Sequence, residues 1–219
     1  MILHLETSTQ MCSVALSQMG ELLALEESNS EQYLHGEKLT IFIQKALDSG
    51  GVLPQQLQAI SISMGPGSYT GLRIGMATAK GLSLGLNIPI LGISSLQSLV
   101  SLGKKKHTNA TYVAAFEARN TEVFMRIETE NELLLEDQPI DLADYSFHGH
   151  NKVVLLGNAQ NKVFDFLGDP KAISEPNLLP SALGQVDLAW QRMSQGKVDD
   201  LYTLTPNYTK PCFIAAKKS

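Results

Sequence analysis

Two acids stand at comparable points of this chain, each closing an apolar run and opening a polar turn. Glu6 leads into Thr7-Ser8-Thr9, and Glu117 leads into Ala118-Arg119-Asn120-Thr121. An acid and hydroxyls between two strands resemble a turn that faces a nucleotide phosphate. The second acid would then face the first across a cleft and position Mg²⁺ or water. The alternative is two solvated acids at strand ends, and spacing alone leaves both readings open. A second candidate is Gly65-x-Gly67-x-x-x-Gly71, between a strand and a helix, where backbone N–H groups can hold an anion. It is not a P-loop, because no Gly-Lys-Ser/Thr follows. Nor is it the dinucleotide fingerprint, whose third glycine comes one position earlier. A tight turn feeding a closely packed helix is the plainer reading.

Other reactive side chains form no constellation. Position 39, one helical turn after His35, is Leu39, and position 31 is Glu31, so no His-x-x-x-His pair exists. His148 and His150 have no cysteine or acid set nearby. Cys12 falls inside a strand pattern and reads as an inert buried thiol. No Gly-x-Ser-x-Gly elbow occurs.

The elements that must hold these residues are legible in the first half. Ile2 to Glu6 is an apolar strand, Cys12 to Leu16 alternates with period two, and Leu22 to Glu26 is a third strand. A helix follows over about 32–48, capped by Ser30 and ended by Gly50-Gly51. Then come a strand at 59–64, a glycine-rich helix to Leu86, a strand at 88–93 and a helix through Leu102. The order is β-β-β-α-β-α-β-α. Residues 103–109 read as a linker. Beyond it the opening pattern returns, with strands at 112–117, 122–127, 132–135 and 153–156. Helices are expected at 162–167 and 181–195. Two lobes result, 1–103 and 110–219, with a hint of internal duplication.

Composition narrows the function. The chain has 219 residues, 43% of them hydrophobic and 18% charged, with a formal net charge of -5. A domain whose main task is gripping nucleic-acid backbones is usually basic. No apolar run approaches a membrane span. Two cysteines make no disulfide framework, and the start carries no signal-like segment. The expected compartment is the cytoplasm.

The helices at 32–48 and 69–86 carry more apolar residues than one core-facing stripe requires. A monomer rarely exposes more than a few hundred Å² of contiguous apolar surface. A partner surface on the first lobe is therefore expected, unless the lean second half covers it.

The chain also resembles a known family. The residues that carry the resemblance are Ile2-Leu3-His4-Leu5-Glu6-Thr7-Ser8-Thr9, Cys12-Ser13-Val14-Ala15-Leu16, His35-x-Glu37-x-Leu39 and Gly65-Pro66-Gly67-Ser68-Tyr69-Thr70-Gly71-Leu72-Arg73-Ile74-Gly75. Gly81-Leu82, Gly92-Ile93-Ser94-Ser95-Leu96 and Glu117-Ala118-Arg119-x-x-Glu122-Val123-Phe124 extend it. Together they are similar to the TsaB (YeaZ) family over residues 1 to about 125, with Pro206-x-Tyr208 matching near the end. The resemblance implies an α/β fold of the actin/Hsp70-like type (ASKHA, ribonuclease H-like), duplicated into two lobes. It implies a non-catalytic scaffold or activator subunit needed to form N6-threonylcarbamoyladenosine at position 37 of tRNAs reading ANN codons. Its partners would be the catalytic homologue TsaD and the ATPase TsaE, with a homodimer when alone, tRNA met only through the complex, and no cofactor.

The implied contact surface uses the two first-lobe helices. Leu39, Phe42, Ile43, Gly71, Leu72, Arg73, Gly75 and Met76 are its expected residues, and leucine at 75 is expected to abolish pairing with the fold intact. Glu6, Thr7, Ser8 and Glu117 would be vestiges of a nucleotide site. Glu6 and Glu117 stand where the family usually has Asp, Thr121 where it has Gly, and Tyr208-Thr209-Lys210 where it has Tyr-Leu-Arg. The rival is an ATP-dependent phosphotransferase of the same fold, working through Glu6 and Glu117.

Overall fold

A computed structural model describes residues 1–29, 35–147, 152–168 and 171–207. Ser30, His148, His150, Tyr208 and Cys212, and the first residues of the expected helix at 32–48, lie outside these. The first strand, β1 (Ile2–Glu6), is buried along its whole length. It pairs antiparallel with β2 (Met11–Gln18), which pairs antiparallel with β3 (Glu21–Asn29). After α1 (His35–Gly50), the chain returns as β4 (Ala59–Ser63), parallel to β1. Helix α2 (Tyr69–Leu86) then leads to β5 (Ile90–Ile93), parallel to β4. The first sheet therefore has the order β3-β2-β1-β4-β5.

The second sheet repeats that plan. Strand β6 (Thr111–Glu117) pairs antiparallel with β7 (Glu122–Glu128), and β7 with β8 (Leu133–Asp141). Strand β9 (Val153–Leu156) lies parallel to β6, and β10 (Ile173–Ser174) parallel to β9. The order β10-β9-β6-β7-β8 is that of the first sheet with each strand replaced by its counterpart. The duplication hinted at by the paired strand-acid-turn segments is thus a duplication of topology. Where the first half has α1, the second has a short 3-10 turn at Leu142–Asp144.

Local chemistry accounts for the helix ends. The Ser68 hydroxyl caps α2 by accepting from the Gly71 N–H at 3.2 Å. Asn87 ends the helix in the left-handed region, with φ of 54°. Ser94 caps α3 (Ser95–Lys106) in the same way, and Lys104, Lys105 and Lys106 occupy its last turn, where the helix dipole favours cations.

The helices are exchanged between the sheets. One face of the first sheet is covered by α1 and α2, through Leu39, Ile43, Ala46, Leu47, Met76 and Ala79. The other face is covered by the C-terminal part of the chain, a 3-10 turn at Ala182–Gln185 and α5 (Val186–Ser194). Ala189 packs there on Ile2, Ala59, Leu91 and Ile93. Helix α3, from the first half, covers the second sheet instead, with Leu96, Leu99 and Val100 on Tyr112, Ala114, Phe116 and Val154. Helix α4 (Gln160–Leu167) closes that sheet's far side through Val163. The open side of β5 is occupied as well. Asp199 accepts from the Gly92 N–H at 2.7 Å and pairs with Arg192, which also donates to the Gly92 carbonyl. No helix among the described residues is long and apolar enough to cross a membrane.

Candidate functional site

The repeated topology places the ends of β1 and β6 at one cleft of ≈ 490 Å³ between the sheets. Its first wall is the loop after β1 (Ser8, Thr9, Gln10) with Gly67 and Ser68 from the turn that leads into α2. Its second wall is Glu117, Asn158 and Gln160, and Phe116, Phe124, Leu178 and Leu179 add an apolar side.

The two acids do not face each other across it. Glu6 is fully buried beneath the cleft loop and does not line the cleft. One of its oxygens accepts from the Ser8 N–H at 2.7 Å and the other from the Gln185 amide at 3.5 Å. Burial raises its pKa; hydrogen bonds from Ser8 and Gln185 partly offset that. Glu117 is exposed on the cleft rim and pairs with Lys162 at 2.6 Å. Thus Glu6 is neither a phosphate-facing acid nor a solvated one. It organises the loop from below. Thr7 and Ser8 are buried too, and their hydroxyls find no partner among the described residues.

These residues do not fit a nucleotide with its Mg²⁺. Among the described residues lining the cleft there is no lysine or arginine to meet a polyphosphate, and the only carboxylate is tied to Lys162. No group of three or more His, Cys, Asp or Glu among the described residues is arranged for a metal ion. Cys12 is buried, and burial pushes its thiol up to about 11, which leaves it inert.

Behind Glu6 runs a buried polar chain that the sequence did not reveal. Ser61 gives its hydroxyl proton to Gln185 Oε1 at 2.6 Å, so it must accept from His4 Nδ1 at 2.7 Å. Full burial keeps the ring neutral, so with its proton on Nδ1 the His4 Nε2 accepts from Ser17 at 2.7 Å, and the tautomer is fixed. The Gln185 amide donates onward to the Leu5 carbonyl and to Glu6. Burial lowers the His4 pKa to about 3 from its ordinary 6.5. Because the folded value lies below the unfolded one, the folded state binds fewer protons between them. His4 therefore favours folding above pH 6.5, and that contribution is lost as pH falls towards 3. We expect denaturation curves to show stability declining over this window by up to about 1.4 kcal/mol per pH unit from this group. Glu6, whose raised pKa acts in the opposite sense as pH falls, is separated out by comparison with His4→Gln: equal pH dependence of the two chains from pH 6.5 to 4 would contradict the neutral, buried imidazole.

Helices α1 and α2 lie side by side on the first sheet, and the expected contact residues divide between two faces. Leu39, Ile43, Leu72 and Met76 are buried in the chain's own core. Gly71 and Gly75 also face inward. A Cβ at 71 would lie 2.1 Å from the Thr7 carbonyl oxygen, and one at 75 would lie 2.2 Å from Thr7 Oγ1. Their close approach is to the loop after β1. Leucine at 75 would break the fold before it reached a partner, which corrects the expectation of an intact monomer. Phe42 is half-buried, and Arg73 is exposed with its guanidinium 4.0 Å from the centre of the Tyr69 ring.

The outward face of α2 is Tyr69, Arg73, Ala77, Gly81, Leu84 and Gly85. Leu84 is 63% exposed, and Ile41 on neighbouring α1 is 52% exposed. A Cβ added at Gly81 or Gly85 would meet nothing within 4 Å. Glycine inside a helix costs about 1 kcal/mol relative to alanine, and at these two positions nothing in the described chain offsets that cost. The sequence expectation of a contact face rests on Gly71 and Gly75, four apart on the inward surface; Gly81 and Gly85, also four apart, form a separate outward surface that it does not use.

Comparison with known proteins fits this architecture. A family model described as "TsaD: tRNA N6-adenosine threonylcarbamoyltransferase" matches residues 28–176. The "tRNA threonylcarbamoyladenosine biosynthesis protein TsaB" of Bacillus subtilis is 33% identical over 99% of this chain and 96% of its own length. The TsaB of Haemophilus influenzae is 36% identical over 56% of this chain, which spans about half, 51%, of that protein. The solved structure "YeaZ from Pseudomonas aeruginosa" superposes with a TM-score of 0.83 over 94% of this chain and 98% of its own; at 24% identity it speaks for the fold. The fold is the duplicated, two-lobed α/β arrangement of the actin/Hsp70-like class, and the chain belongs to the TsaB (YeaZ) family.

Proposed function

We propose that this chain is a non-catalytic docking subunit in the formation of N6-threonylcarbamoyladenosine at position 37 of tRNAs reading ANN codons. It works in the cytoplasm, pairs with the catalytic homologue TsaD through α1 and α2, and self-associates through the same face when alone. The ATPase TsaE joins that pair, and tRNA is met through the assembly. The observation that carries this reading is the outer face of α2. Ala77, Gly81 and Gly85 form a groove one residue wide beside exposed Leu84, which lets a second helix approach backbone to backbone. Ile41 and half-buried Phe42 of α1 widen the contact, and Arg73 offers a charge at its edge. Leu39, Ile43, Leu72, Gly71, Gly75 and Met76 act from behind by holding the two helices in place. The names of the relatives support the pathway, and the donor set of the cleft speaks against a phosphotransferase.

The test mixes this chain with the TsaD of its own organism and sizes the product by light scattering. Wild type is expected to co-elute. Gly81→Leu is expected to keep or slightly raise its melting temperature and bind more than 100-fold more weakly, a loss of about 2.7 kcal/mol. A wild-type chain that ignores TsaD at micromolar concentration, or a Gly81→Leu chain that binds normally, would overturn the docking face. Calorimetric binding of ATP with Mg²⁺ and turnover by the isolated chain would restore the phosphotransferase.

A further inference from the structure

The loop after β1 has two sides, and they serve different surfaces. On one side Ser8 and Thr9 form a wall of the cleft. On the other, the loop is the seat of α2. The Thr7 carbonyl abuts Gly71, Thr7 Oγ1 abuts Gly75, and Gly67 is pressed against Ser8, where a Cβ would lie 2.2 Å from the Ser8 oxygen. The Ser68 N–H donates to that same oxygen at 2.6 Å. From below, the Glu6 carboxylate fixes the Ser8 N–H and Ser63 holds the Thr7 N–H at 3.1 Å. There is no slack between the cleft wall and the first turns of α2. Close-packed contacts of this kind pass displacement on rather than absorb it.

We infer that the cleft is a regulatory site for docking, linked through Thr7 to the position of α2. Whatever crowds the first wall of the cleft shifts Ser8 and Thr9, moves Thr7 against Gly71 and Gly75, and changes how α2 meets its partner. Linkage is reciprocal, so docking on α2 must also restrain the cleft loop. The wall that would deliver the push belongs to the second half of the chain, at Leu178 and Leu179, which places the regulating surface away from the docking face. This inference rests on α2 being the docking helix.

The experiment fills the cleft from its far wall. Leu179→Trp is made in the full chain, alone and together with Thr7→Ala, and binding to the organism's TsaD is measured by titration calorimetry. Leu179→Trp is expected to weaken docking at least fivefold, and in the Thr7→Ala background its effect is expected to fall below twofold. Hydrogen exchange of the wild-type complex supplies a measurement that needs no variant. Docking is expected to slow amide exchange at Thr9 to Met11 at least threefold. The linkage is overturned if Leu179→Trp, folded by its melting curve, binds within twofold of wild type. It is equally overturned if the loss is undiminished with Thr7→Ala, or if exchange in the loop ignores the partner. If Leu179→Trp does not fold, the exchange result decides. Failure of wild type to bind TsaD removes the docking reading and this linkage together. Normal docking with an indifferent cleft removes the linkage alone.

Discussion

Alanine at Gly71 is expected to cost about 3 kcal/mol of folding stability, whereas alanine at Gly81 in the same helix adds about 0.5–1 kcal/mol. The first substitution puts a methyl group 2.1 Å from a backbone carbonyl oxygen that Glu6, Ser63 and Ser68 hold in place through the loop. No rotamer change can relieve it; helix or loop must move. The second adds a methyl group where nothing stands within 4 Å and removes backbone freedom from the unfolded chain. For a chain of this size the shifts are a drop of about 6–12 °C and a rise of about 1–4 °C in melting temperature. Paired denaturant titrations decide it. Two changes of the same sign would contradict the placement of Gly71 and Gly81 on opposite faces of α2.

Gln185→Leu is the other large effect. The side chain is fully buried and engages Ser61, the Leu5 carbonyl and Glu6 together. Leucine fills similar space but leaves a buried carboxyl group, a main-chain carbonyl and a hydroxyl short of partners. Removing one member of a buried polar network is expected to cost about 3–5 kcal/mol. The Ser61–His4–Ser17 bonds then lose the fixed proton direction that Gln185 imposes. Equilibrium unfolding in urea is the direct measurement, and a loss under 1 kcal/mol would show that the network contributes little.

What the sequence disclosed follows from how local each signal is. The strands of the first sheet and the glycine turn at 65–67 are written in neighbouring residues, so they were readable; the cap expected at Ser30 lies outside the described residues. The matching strand-acid-turn segments at Glu6 and Glu117 revealed the duplication. The fates of those acids were not readable. Whether Glu6 is buried depends on Gln185, which lies far along the chain with no periodic or motif signal of its own. The faces of α2 were equally ambiguous. Its apolar and small residues extend around much of the helix, so pattern alone cannot say which glycines meet Thr7 and which meet solvent. Helix 181–195 was expected as one element, whereas the chain forms a 3-10 turn at Ala182–Gln185 before α5, and that turn delivers Gln185 to β1.

The exchange of helices between the sheets has a consequence for how the molecule is born. A ribosome releases the five strands of the first sheet within the first hundred residues, yet one face of that sheet and its β5 margin wait for Ala189, Arg192 and Asp199. Until the last stretch emerges, Leu91 and Ile93 have no cover and the β5 backbone is an open invitation to stray chains. The part made earliest is therefore completed last, and a nascent chain halted near residue 180 would be the form most in need of a chaperone.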